Sequence, residues 1–310
     1  MTTPPFLQKG DTVGIVSTAR KISKEELQPF LQLLESWGLQ AKLGISIEAE
    51  AHQFAGDDTL RAKDFQNMMD DASVKAIWCA RGGYGTVRII DRLNFSEFKK
   101  NPKWIVGYSD VTVLHSHVHN FNIESVHANM AMEIDSKTEA TRTSVRDALF
   151  GKDFSIEYAS EGKLNRNGTT SGMLVGGNLS LLYSLCGSSS AINTAGKILF
   201  IEDLDEYLYH IDRMMQNLKR NGYFENLKGL IVGGMSDMRD NTKPFGKSAE
   251  EIISETVSEY TFPLCFHLPA GHIQDNRALI LGRMVDLKVE PKIVKLKFSN
   301  PKSQIPNRKS

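Results

Sequence analysis

One serine stands where a nucleophile could be presented. The apolar run Trp104-Ile105-Val106-Gly107 is followed by Tyr108, Ser109 and Asp110, and then by Val111-Thr112-Val113-Leu114, which reads as the start of a helix. A strand that turns abruptly into a helix holds a hydroxyl above the carboxyl edge of a sheet, with the helix's unpaired N–H groups behind it. That geometry suits an attacking oxygen and the oxyanion that forms beside it. The G-x-S-x-G pattern is only partly met, because Val111 occupies the position of the second glycine. Ser109 or Asp110 acting simply as a helix cap accounts for the same residues.

Other stretches carry further candidate groups. Ala80-Arg81-Gly82-Gly83-Tyr84-Gly85 follows an apolar run and opens a helical stretch, so its backbone N–H groups could approach an anion closely. No G-K-[ST] follows, which disfavours a nucleotide phosphate loop; an oxyanion or carboxylate turn fits better, with Arg81 able to grip a carboxylate through two parallel bonds. An ordinary glycine turn with a surface arginine is the plain alternative. Gly176-Gly177-Asn178 is a second glycine turn, with Asn178 placed to cap a helix.

Phe200-Ile201-Glu202-Asp203-Leu204-Asp205-Glu206 gathers four carboxylates at a strand end, with Glu202 nearest the strand. A solvated loop or a divalent-metal site would each explain it. Pro269-Ala270-Gly271-His272 places a histidine in a loop, and histidine is the side chain best suited to general-base work near neutral pH. Among eight histidines a lone one is more often structural. His115, His117 and His119 lack the glutamate of H-E-x-x-H and read as helix polar positions rather than as metal ligands.

The elements that must position these groups follow from periodicity. Short apolar runs at Thr12–Ser17, Leu39–Ile47, Val74–Ala80 and Trp104–Gly107 read as strands; amphipathic helices fall between them at Lys24–Trp37, Asp57–Asp70 and near Thr86–Leu93. Alternation of this kind predicts an α/β protein whose first unit is a mostly parallel sheet flanked by helices. Arg142–Phe150 reads as its last helix. The polar stretch within 151–172 reads as a linker between a first domain at 1–150 and a second, smaller α/β domain at 173–310. The second unit is expected to hold helices at Leu179–Cys186, Leu208–Asn221 and Ala249–Val257. Its strands are expected at Gly172–Val175, Lys197–Ile201, Gly229–Val232, Leu264–His267 and Val285–Phe298. The polar, basic tail 301–310 is expected to fray.

Composition narrows the function. Across 310 residues, Lys+Arg and Asp+Glu both number 37, so no net basic field is available to hold nucleic acid or anionic lipid. Cys79, Cys186 and Cys265 are odd in number and widely spaced, which excludes a disulfide framework and a cysteine zinc site and suits a reducing compartment. The N-terminus lacks a secretory pattern and no apolar run is long enough to span a membrane. A cytoplasmic protein is expected.

Taken together the motifs resemble the LD-carboxypeptidase family, which includes the microcin C immunity proteins. RGGYG at 81–85, GYSD at 107–110, LVGGNLSLL at 174–182, IEDLDE at 201–206 and Gly271-His272 occur in the family's order. The resemblance implies that Ser109 is the nucleophile, His272 the general base and Glu202 the group that orients it. It implies an oxyanion hole from the N–H groups of Asp110 and a glycine of the 82–83 turn, taken as Gly83. Arg81, Gly82 and Asn178 become candidate substrate-binding residues. A Ser…Glu…His order would put the nucleophile in the first domain, its partners in the second, and the site in the cleft between them. The activity implied is hydrolysis of an L–D amide bond, releasing terminal D-alanine from murein tetrapeptide in cell-wall recycling, with no metal or cofactor. Its partner would be a small peptide substrate, and a homodimer is implied. A peptidase acting on a peptide–nucleotide conjugate, or a silent cleft-binding homologue, are the alternatives. The family's His-Gly-Pro is His127-Ala128-Asn129 here, a departure that bears on loop shape.

Overall fold

The computed structural model describes residues 1–160 and 162–300; the tail 301–310 lies outside the described residues. The first half of the chain runs β1 (Thr12–Val16), α1 (Lys24–Ser36), β2 (Gln40–Leu43), α2 (Asp58–Asp70) and β3 (Val74–Cys79). It continues with α3 (Ser96–Lys100), β4 (Trp104–Gly107), α4 (Thr112–His119), β5 (Ser125–His127) and α5 (Glu139–Leu149). The second half runs β6 (Ser155–Ala159), β7 (Gly168–Asn178), α6 (Leu179–Ser184), β8 (Lys197–Leu204), α7 (Leu208–Arg220) and β9 (Gly229–Ser236). After α8 (Ala249–Thr256) come β10 (Leu264–Cys265), β11 (Leu279–Leu281), β12 (Met284–Val289) and β13 (Ile293–Phe298). The stretch read as one helix near Thr86–Leu93 is two short 3-10 turns instead, at Thr86–Arg88 and Ile90–Arg92.

Local chemistry explains where the helices begin. Ser23 and Glu26 close a capping box at the start of α1, Ser248 and Glu251 do the same for α8, and Asp57 caps α2. Each cap satisfies N–H groups that a helix's first turn cannot pair internally. β4 is buried throughout and β1 and β3 nearly so, as a parallel sheet covered on both faces requires.

Two sheets result. The first has the order β11-β5-β4-β3-β1-β2, and all neighbours are parallel except β11 against β5. The second has the order β10-β9-β8-β7-β12-β13-β6, parallel from β10 to β7 and antiparallel beyond. Expected as the smaller unit, the second half carries the wider sheet.

The stretch 151–172 expected as a linker holds strand at both ends of an irregular middle. It contains β6, which forms the far edge of the second sheet, and the first residues of β7. One-sided burial explains the misreading: an edge strand such as β6 (exposed-buried-exposed at 155–157) has too few apolar residues to stand out. The 173–310 unit is also not self-contained, because β11 crosses back to complete the first sheet. One apolar cluster accordingly runs through both halves, joining Val13, Trp78 and Val106 to Leu174, Ile198 and Phe200. Truncating a side chain as large as Phe200 there costs about 3–5 kcal/mol. Among the described residues, no helix is long and apolar enough to cross a membrane.

Candidate active site

Ser109 opens the 3-10 turn that leads from β4 into α4. Its φ is +58°, a left-handed conformation that costs a non-glycine residue energy and is held only where surroundings dictate it. His115 helps to dictate it. Its Nε2 lies 2.8 Å from the Gly107 carbonyl and its Nδ1 2.8 Å from the Ser125 hydroxyl. A carbonyl can only accept, so Nε2 carries the proton and Nδ1 accepts from Ser125. Burial pushes this imidazole down to about 4, and it is a neutral brace for the strand end. His117 turns instead to Ser190 and His119 to Lys197, so the three histidines diverge.

Glu202 emerges from β8 and is wholly buried. Its Oε2 accepts from His272 Nδ1 at 2.7 Å and from the His272 backbone N–H at 3.2 Å. Gly271 permits that approach: its φ is +105°, and a Cβ there would stand 2.7 Å from the same oxygen. The loop is tied from both sides, by Ser236 Oγ donating to the His272 carbonyl and by Gly271 N–H donating to Asn276, each at 2.8 Å. Burial alone would lower the His272 pKa. The charge and hydrogen bond of Glu202, aided by Asp203 and Glu133, outweigh it and hold the imidazole above its ordinary value.

The other carboxylates of the acidic loop point to separate partners. Asp203 accepts from Asn178 Nδ2 and from the Leu204 and Ser180 N–H groups, each at 2.9 Å. Burial and the neighbouring Glu202 charge push it up to about 7. Asp205 pairs with Arg239 at 2.5 Å and Glu206 with His210 at 2.6 Å. Among the described residues no group of three or more His, Cys, Asp or Glu side chains is disposed to hold a metal ion.

Ser109, His272, Arg81, Gly82, Gly83 and Asn178 line one cavity of about 590 Å³. Glu202 stands behind His272, and the Asp110 side chain is buried behind the serine turn. A Cβ on Gly82 would lie 3.6 Å from Ser109 Cβ, so the glycine turn directly flanks the serine. Among the described residues the Ser109 hydroxyl has no hydrogen-bond partner, and the contact anticipated with His272 is open. Ser109 follows β4 while His272 lies in the loop between β10 and β11, and catalytic hydrogen bonds commonly tighten only around substrate. Arg81 is already engaged, donating to the Lys21 carbonyl at 3.0 Å and standing 3.6 Å from Glu26. Asn178 is likewise committed: its Oδ1 receives Ser180 and Leu181, its Nδ2 serves Asp203, and its N–H binds Thr112 Oγ1. It therefore docks the second sheet onto α4. A slightly larger cavity, about 660 Å³, is lined by other residues, among them Lys163, Ser248 and His267, and holds none of these groups.

Three participants escaped the sequence reading. Tyr108 packs its ring 4.6 Å from that of His272 and donates to Glu133 at 2.9 Å, joining the two walls of the cavity. Arg20 also lines the cavity. Its place just past the carboxyl end of β1 was the available signal, because ligands gather at strand carboxyl ends in parallel sheets.

A serine on a strained strand-to-helix turn, lining one cavity with a carboxylate-backed histidine, is an arrangement that serine hydrolases use. Residues 13–128 match the family model of the LD-carboxypeptidase N-terminal domain, and residues 171–287 match that of the LD-carboxypeptidase C-terminal domain. The chain belongs to the LD-carboxypeptidase family and is a serine-type carboxypeptidase. It is 35% identical over 284 residues to a probable murein peptide carboxypeptidase of Bacillus subtilis, covering 90% of this chain and 89% of that one. It is 28% identical over 288 residues to the murein tetrapeptide carboxypeptidase of Pseudomonas aeruginosa, covering 89% and 92% respectively. The crystal structure of muramoyltetrapeptide carboxypeptidase from Oxalobacter formigenes shares the fold, with a TM-score of 0.84 at 24% identity, covering 93% of this chain and 98% of that one. The microcin C7 self immunity protein MccF also shares it, at a TM-score of 0.84 and 20% identity, covering 95% and 98%.

Proposed function

We propose that the protein removes the terminal D-alanine of murein tetrapeptide by hydrolysing the L–D amide bond, with Ser109, His272 and Glu202 as its catalytic groups. The observation that carries this reading is the 2.7 Å contact between His272 Nδ1 and Glu202, on the wall of the cavity that Ser109 lines. A carboxylate oxygen accepts, so Nδ1 holds the proton and Nε2 is left as the basic nitrogen.

In this reading Ser109 Oγ attacks the amide carbonyl carbon as its proton passes to Nε2. The oxyanion is met by the N–H groups of Asp110 and Gly83; such a donor is worth roughly 10²–10³-fold in rate. The imidazolium then protonates the departing amine, D-alanine leaves, and an acyl-enzyme remains on Ser109. Water repeats the sequence: His272 takes its proton, the ester carbonyl is attacked, and the serine recovers its hydrogen. Ser109 and water supply the two nucleophiles, and His272 relays their protons to the departing amine and back to the serine. The resemblance also supports a cytoplasmic homodimer in cell-wall recycling, and sedimentation finding only monomer at micromolar concentration would remove the dimer.

The test is a turnover screen by mass spectrometry with murein tetrapeptide, an all-L tetrapeptide and a peptide–nucleotide conjugate. Release of D-alanine from the first alone is the expected result. Cleavage of the conjugate or the all-L peptide in its place overturns the substrate assignment.

A further inference from the structure

Arg20 holds the one arginine or lysine side chain of the cavity lining that, among the described residues, has no hydrogen bond or ion pair. It is exposed, just beyond the carboxyl end of β1. β1 and β3 flank the point where the strand order reverses, with β2 on one side and β3, β4 and β5 on the other. In open parallel sheets the crevice at that point is the usual ligand site.

Two contacts fix where the side chain lies. The Arg20 backbone N–H donates to the Gly82 carbonyl at 3.4 Å. Its stem covers Gly83, for a Cβ built there would meet Arg20 Nε, Cδ and Cγ at 2.6, 2.7 and 2.9 Å. Gly83, at φ +109°, thus has its missing side chain replaced by the arginine. The guanidinium is thereby held beside the turn that flanks Ser109.

The other charged side chains of the cavity have partners within the protein, Glu133 in Tyr108 and Lys137, and Asp203 in Asn178 and two backbone N–H groups. Arg81 is held by Lys21 and Glu26, while Asp205 and Glu206 on the acidic side are paired with Arg239 and His210. An anionic substrate group entering this space meets in Arg20 the one lining arginine or lysine that, among the described residues, has no protein partner.

We infer that Arg20 binds the free carboxylate of the substrate's terminal residue and so confines the enzyme to removing a single residue from a chain end. This rests on the carboxypeptidase reading above. Covalent geometry supports the placement: the carboxylate carbon of the departing residue lies only roughly 3–4 Å from the scissile carbon. Its receptor must therefore adjoin the oxyanion turn, as Arg20 does. A guanidinium can meet both carboxylate oxygens through parallel N–H bonds, which the point charge of lysine cannot reproduce.

The experiment compares kcat/KM for murein tetrapeptide and for its C-terminal amide, using wild type, Arg20→Lys and Arg20→Gln. Wild type is expected to prefer the free acid by roughly 10–100-fold, the range of a charge-assisted hydrogen bond. Arg20→Gln should erase the preference, Arg20→Lys should retain part of it, and melting temperatures should stay together because the side chain is exposed. Equal loss on both substrates, or an unchanged preference in Arg20→Gln, overturns the assignment while leaving the proposed activity standing. A wild type that cleaves neither peptide removes that activity and this inference with it.

Discussion

Asp110 and Thr86 are joined across the site: the Asp110 carboxylate accepts the Thr86 backbone N–H at 2.8 Å. The residue that follows the serine thereby anchors the end of the glycine turn. Arg61 extends the link, donating to the Thr18 and Gly85 carbonyls, so the loops after β1, β3 and β4 form one unit. Asp110→Ala should leave a buried N–H unpaired and cost about 1–3 kcal/mol of stability. Because both proposed oxyanion donors depend on this link, kcat should fall more than KM rises, and Asp110→Asn, which keeps an acceptor, should recover most of the loss. A kcat for Asp110→Ala equal to wild type would show that the link is structural only.

Ser109→Ala deletes the attacking oxygen without altering the cavity walls. Turnover should drop by roughly 10⁴–10⁶-fold while tetrapeptide still binds, as calorimetry can measure. His272→Ala should approach the same floor, and the double variant should fall no further, since the two act together. Full activity in Ser109→Ala would end the serine mechanism for this chain.

The acid limb of the pH profile reports on His272. The base must be neutral, and Glu202 holds its pKa above the ordinary 6.5, so kcat/KM should rise with a midpoint above that value. Glu202→Gln removes the largest raising influence, leaving burial opposed only by Asp203 and Glu133, so the pKa falls. The limb should then move to lower pH while kcat falls by roughly 10²–10⁴-fold.

Stability carries the same sign. A raised folded pKa stabilises fully below 6.5 and the contribution is lost as pH climbs through the folded value. The melting advantage of wild type over Glu202→Gln should accordingly shrink as pH rises from about 6.5. A gap that widens instead would contradict the pairing.

Chelation separates the two chemistries suggested by the acidic loop. Since Glu202, Asp203, Asp205 and Glu206 face different partners, EDTA should leave turnover unchanged. Loss of activity restored by a divalent cation would reverse this and reopen the metal reading.

The serine turn was legible because its signals are local: a buried strand, a turn residue and a helix within 104–119. The alternation of the first half was legible for the same reason. What escaped depends on contacts distant in sequence. β6 is five residues long with Ile156 its one buried side chain, too short an alternation to stand out, and β11 has three residues whose partner lies more than a hundred positions earlier. Arg81 looked like the carboxylate reader because spacing cannot reveal that Glu26 and Lys21 already hold it. Arg20 and Tyr108 were overlooked because their importance comes from what lies across the cleft.

The return of β11 to the first sheet governs the order in which the molecule can be built. Until residue 281 has left the ribosome, Ser125–His127 remains an open edge, so the nucleophile-bearing half emerges from synthesis unfinished. Maturation is thus a late event. A fragment ending near residue 150 should pair with itself or with neighbours through that edge, and supplying the missing segment in trans as a separate polypeptide should suppress its aggregation.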